Sequence, residues 1–152
     1  MTEIVRSKER VDSTGEVFTP PELVNEVLDK LPSAVWTDPS KTWLDPAAGD
    51  GNFLVEVRRR LLEAGGDEVH VLEHQLFAAE LMRDNVERLQ KRLGYLTDEG
   101  LPNPKLDPAN FRTDIAPDGE PYLHHWNVQC VDSLQYDFSF GRDDTSLEGF
   151  FE

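Results

Sequence analysis

Residues 43–53, WLDPAAGDGNF, read as the end of a strand, a turn of small residues and the first turn of a helix. The run KTWLD (41–45) ends at a carboxylate, and NFLVEVRRRLLEAGG (52–66) has helical spacing and stops at a glycine pair. Strand, glycine turn and helix form the first unit of an open α/β sheet. The helix N-terminus presents unpaired backbone donors, and Gly49 and Gly51 let a ligand approach the backbone. The turn lacks the Gly-Lys-Ser/Thr ending of a Walker loop and the full G-x-G-x-x-G spacing of a dinucleotide site. Its two carboxylates, Asp45 and Asp50, would repel a pyrophosphate, so a ligand with an amino group and a sulfonium fits better. The same acids would also serve as a turn residue and a helix cap.

A second unit follows. HQLFAAEL (74–81) reads as a buried strand, and MRDNVERLQKRLG (82–94) as a helix with Met82, Val86, Leu89 and Leu93 on one stripe and Gly94 as its stop. WNVQCVDSLQYDF (126–138) supplies a third strand around residues 128–131. Upstream, TPPEL opens a helix with Thr19 as N-cap; Leu23, Val24, Val27, Leu28 and Leu31 form its apolar face and Pro32 ends it. Between the second helix and the third strand, residues 95–125 hold five of the ten prolines, which forbids long regular elements and reads as an inserted loop.

The 152 residues suit one domain, here 17–140, with a flexible arm at 1–16 and an acidic tail at 141–152. With 38% hydrophobic and 30% charged residues the chain reads as soluble and globular. It has no signal-peptide core, no apolar run of membrane length and a single cysteine, Cys130, so the expected location is cytoplasmic. The net charge of -15 has the wrong sign for unaided binding to a nucleic acid backbone, so DNA would be met weakly or through a partner. Residues 94–152 carry 12 acids and 3 bases, which makes them the poorer nucleic-acid face. The arginines at 58–60 read as a solvated helix face, His124 and His125 as structural residues rather than metal ligands, and Cys130 as a small buried hydrophobe.

DPAAGDGNFL (45–54) resembles the S-adenosylmethionine-binding motif of DNA adenine amino-methyltransferases, D-P-A-x-G-S/T/D-G-x-F. VFTPPELV (17–24) is similar to that family's upstream Thr-Pro motif, LFAAELMRDNVERLQKRL (76–93) to its acidic ribose segment, and VQCVDSLQYDF (128–138) to its third-strand motif. The four pieces follow the order of the gamma group. The resemblance implies a Rossmann-like, S-adenosylmethionine-dependent methyltransferase fold, present as its N-terminal strands. It implies that Asp45, Pro46 and the backbone of Ala47, Ala48 and Gly49 surround the methionine part of the cofactor, with Gly51 and Asn52 in the same binding set. Phe18, Thr19 and Pro20 contribute a hydroxyl and its positioning. Glu80 accepts from both ribose hydroxyls, Leu81 and Phe53 line the adenine, and Asp132, with Ser133 beside it, accepts from the adenine amino group. Read without the resemblance, Glu80 is a helix-start acid and Asp132 a turn cap.

The family's catalytic Asn-Pro-Pro-Tyr/Phe tetrapeptide is absent from these 152 residues, so no catalytic residue is assigned. The implied role is the cofactor-binding part of a DNA adenine methyltransferase, incomplete for methyl transfer and completed by a second chain or region. The alternatives are a non-catalytic methyltransferase-like interaction protein in restriction–modification or anti-restriction, and a small enzyme using the cofactor on another acceptor. A first strand without its usual neighbour leaves the edge at 42–44 open, which predicts a second methyltransferase subunit or a homo-oligomer there unless residues 138–151 cover it.

Overall fold

A computed structural model describes residues 18–141. The expected arm at 1–16, and the acidic tail apart from Gly141, lie outside the described residues. Helix α1 (Pro21–Asp29) is followed by a short turn at Ser33–Trp36 and by strand β1 (Trp43–Asp45). Next come α2 (Asn52–Glu63), a helical turn at Glu68–His70 that widens over Val71–Gln75, β2 (Leu76–Glu80) and α3 (Arg83–Leu93). Two five-residue strands, β3 (Phe111–Ile115) and β4 (Pro121–His125), then lead to β5 (Val128–Cys130).

Strands β1, β2 and β5 form a parallel sheet in the order β1-β2-β5, with Leu44 opposite Phe77 and Ala79 opposite Gln129. Strands joined through helices must run parallel, and both faces of such a sheet are then available for covering. All five residues of β2 are buried, as its central place requires. Leu76 and Ala78 join Leu54, Val57, Leu61, Val86, Leu89 and Leu93 of α2 and α3 in one core. Phe77 points to the opposite face, where the buried Phe140 meets it edge-on at 5.2 Å. Phe138 and Phe140 take positive φ values of 56° and 49°, a conformation rare for aromatic residues that folds this segment back on the sheet.

Three expectations are corrected. Helix α1 is capped by Pro20, not Thr19; the cap makes no side-chain hydrogen bond, and Pro21 supplies the preset φ at its start. Of the apolar face assigned to it only Val24 and Leu28 are buried, while Leu23, Val27 and Leu31 stay more than a third exposed. Residues 95–125 are not a structureless insertion. They hold the antiparallel β3–β4 pair, with Phe111 opposite His125 and Ile115 opposite Pro121, closed by a turn in which Gly119 has φ 86°. The prolines are compatible with it because Pro121 stands at the first position of its strand.

Strand β1 pairs only with β2 among the described residues, so its outer edge is open there. The described end of the chain does not cover that edge: Phe140 lies on Phe77, and Gly141 lies beside Trp126 and Arg112. No helix among the described residues is long and apolar enough to cross a membrane.

Candidate functional site

Because the three strands run the same way, their carboxyl ends share one edge of the sheet. Asp45 ends β1, Glu80 ends β2, and Asp132 follows β5 by two residues. The turn after β1 is tied to the neighbouring strand by the Ala48 N–H, which donates to the Ala79 carbonyl at 3.1 Å. Gly49 sits at φ 58° and Gly51, the residue that caps α2, at φ 97°. A Cβ on Gly51 would stand 3.1 Å from the Leu89 Cβ, so this glycine sets the approach of the turn to α3.

Asp45 accepts a hydrogen bond from the Ala47 N–H at 3.1 Å through Oδ1. Burial pushes its carboxyl pKa up, and that hydrogen bond only partly opposes the shift. No lysine, arginine or histidine among the described residues forms an ion pair with it. Phe18, Thr19, Asp45, Ala47, Ala48 and Gly49 line a cleft of about 90 Å³, with Asn52 and Phe53 beside them. Phe18 lies flush on the turn: a Cβ built on Gly49 would be 2.9 Å from its Cδ1. Asn52 fixes this arrangement by donating from Nδ2 to the Thr19 carbonyl at 2.8 Å while its Oδ1 accepts from Arg92 at 3.0 Å.

Asp50 also borders the cleft, but its carboxylate is held by arginines. It is 3% exposed, and its Oδ2 lies 3.2 Å from Arg92 Nη1 and 3.6 Å from Arg88 Nε. Arg92 also donates to the Asp50 carbonyl at 2.9 Å. Two arginines one turn apart on α3 therefore neutralise the turn's second acid. Their i, i+4 spacing was visible in the sequence, but their partner some 40 residues away was not.

Glu80 is turned inward. Its Oε1 accepts from the Gly49 N–H at 3.0 Å, and its Oε2 from the Met82 N–H at 2.8 Å and from Asn85 Nδ2 at 3.1 Å. Asn85, fully buried, is a residue that sequence reasoning missed. Leu81 is 42% exposed, Pro46 and Pro20 are exposed, and Ser133 is half-buried, all outside the cleft. Asp132 Oδ1 accepts from the Leu134 N–H at 3.0 Å, as a turn cap does.

Elsewhere several polar side chains are closed on one another. His125 Nε2 bonds Glu73 Oε1 at 2.9 Å and its Nδ1 accepts from the Asn127 N–H at 3.0 Å. His124 Nε2 bonds Asp114 Oδ2 at 2.7 Å. Burial would raise the Asp114 carboxyl, but His124 and Arg112 more than offset it and hold its pKa below the usual range. Each arginine at 58–60 is ion-paired: Arg58 with Glu68, Arg59 with Glu56 and Glu63, and Arg60 with Asp29 and Glu56. Cys130 is 1% exposed, and burial pushes its thiol up to about 12, far from a reactive thiolate.

A parallel α/β sheet whose glycine turn and strand-end carboxylates meet at one edge is consistent with the core of a Rossmann-like methyltransferase domain. The profile of the family described as N-6 DNA Methylase matches residues 5–89, more than half of the chain, and the chain belongs to that family. No curated protein matches it. The family is generally dependent on S-adenosylmethionine.

Proposed function

We propose that this chain is the S-adenosylmethionine-binding part of a DNA adenine methyltransferase and that methyl transfer needs a second chain or region. The observation that carries the reading is Asp45: a partly buried carboxylate with no ion-pair partner among the described residues, at the mouth of a glycine turn and beside Phe18 and Thr19. An ammonium group there would gain a charge-assisted hydrogen bond and remove the penalty of burying the carboxylate alone. The small cleft supports a closed resting form. At about 90 Å³ it is well short of the ~300 Å³ at which small-molecule pockets begin, so ligand entry has to lift Phe18 from Gly49.

The bound cofactor would supply an activated methyl group. This chain's contribution is to bind and orient it through Asp45, the turn and Glu80. Polarising an adenine amine falls to a partner chain or region, since no Asn-Pro-Pro-aromatic stretch occurs in these residues. DNA contact through that partner agrees with the acidic charge and the ion-paired arginines. The open edge of β1, with Leu44 37% exposed, is where a partner strand would pair. A monomer by light scattering, with the amides of 43–45 protected from exchange, would remove that pairing.

Calorimetric titration of the chain with S-adenosylmethionine tests the main reading. Micromolar binding is expected, weakened about tenfold or more in Asp45→Ala. A folded chain that does not bind, or an Asp45→Ala variant that binds equally well, overturns it.

A further inference from the structure

We infer that Asn85 is a positioning residue that dedicates the two oxygens of Glu80 to different tasks, and that Oε1 couples the glycine turn to the sugar of a bound nucleoside. The inference rests on the cofactor reading above, and it adds a residue and a coupling to it. Glu80 lies 31 positions from Gly49, yet one of its oxygens holds the Gly49 N–H at 3.0 Å. The other oxygen is filled by two donors that do not belong to the turn. The Met82 N–H at 2.8 Å comes from the residue capping α3, and Asn85 Nδ2 at 3.1 Å from within that helix.

A carboxylate oxygen accepts about two hydrogen bonds, so Oε2 is saturated and Oε1 keeps one acceptor site. Asn85 is 0% exposed and Glu80 9% exposed, so this division is fixed by buried groups rather than by solvent. Of the two oxygens, only Oε1 has an acceptor site left for a vicinal diol at the strand end. The diol must share that oxygen with Gly49 or replace it, and Gly49 is the residue on which Phe18 rests. Sugar recognition and the lifting of Phe18 thereby act on one hydrogen bond.

The first test needs no ligand. In the full chain, hydrogen exchange of the Gly49 amide is followed by NMR in the wild type, Asn85→Ala and Glu80→Gln. We expect exchange at Gly49 about tenfold or more faster in both variants, with amides of β5 unchanged. Unchanged protection at Gly49 in a folded Asn85→Ala chain would overturn the positioning role. The second test titrates S-adenosylhomocysteine and its 2′-deoxy analogue. The wild type should prefer the ribose form about tenfold, and Asn85→Ala should reduce the preference to about twofold or less. Equal losses for both ligands would mean that Asn85 is merely structural. Absence of binding to the wild type would sink the cofactor reading and the sugar coupling with it, whereas the Gly49 latch stands or falls on the exchange data. Should Asn85→Ala fail to fold, Asn85→Ser replaces it in both tests.

Discussion

The β3–β4 hairpin and the glycine turn after β1 both bury polar side chains, but they leave them in different states. At the hairpin, His125 is held by Glu73 and Asn127, Gln90 donates to the Leu123 carbonyl at 3.0 Å and accepts from the His125 N–H, and Asp114 has both His124 and Arg112. At the turn, Asp45 has one backbone donor and, among the described residues, no counter-ion, while Phe18 covers the glycine that a ligand would approach. The first arrangement is what a region selected for stability does with buried polarity. The second leaves a carboxylate without an ion-pair partner among the described residues, which is where the proposed ligand would bind. The difference separates residues whose loss should unfold the chain from those whose loss should only disable it.

The largest effect should come from the closed region. His125→Ala strips the Asn127 N–H of its partner, leaves Glu73 with Asn110 alone, and empties the space beside Tyr95 and Phe111, which lie 4.8 and 5.2 Å from the His125 ring. A loss of about 3 kcal/mol is expected in urea unfolding, with ligand affinity of the folded fraction unchanged. Affinity falling in step with stability would erase the contrast between the two regions. Arg92→Met should follow at about 2 kcal/mol, because Asp50 would keep only Arg88 at 3.6 Å. Since Arg92 also holds Asn52, this variant should weaken both stability and binding, marking the seam between the regions. Gly49→Ala should cost about 1–2 kcal/mol from the left-handed backbone and the contact with Phe18. If the ring can swing away, binding will suffer less than stability.

The sequence made the parallel units legible because their signals are local. WLD before a glycine turn, LFAAE as a continuous apolar strand and Gly94 at φ 98° as a helix stop each depend on neighbours a few residues away. The hairpin was hidden by proline density, although alternation at Phe111, Thr113 and Ile115 and the Asp118–Gly119 turn pair were available signals. The site was legible as a set of residue types but not as a wiring diagram. Nothing local in the sequence ties Glu80 to Gly49 or Asp50 to Arg92, because those contacts exist only once separate elements have packed.

The smallest effect carries the sharpest sign. Burial raises the Asp45 pKa in the folded chain above its unfolded value, so the folded state favours the protonated carboxyl. Its stabilising contribution is present at low pH and is lost as pH rises from the ordinary carboxylate value through the raised one. At neutral pH the ionised group therefore works against folding. Asp45→Asn keeps the shape and removes the charge, so the ligand-free chain should gain about 0.5–1 kcal/mol at neutral pH. The gain should shrink as pH falls below the raised pKa, where the wild-type carboxyl is already neutral. Binding of a cationic ligand should weaken in the same variant, since the amide cannot pair with an ammonium. A stabilised chain that binds less well would identify Asp45 as a cost kept for function. Denaturant unfolding at two pH values, set beside one titration, decides it: a variant less stable at neutral pH would place Asp45 with the closed polar groups of the hairpin instead.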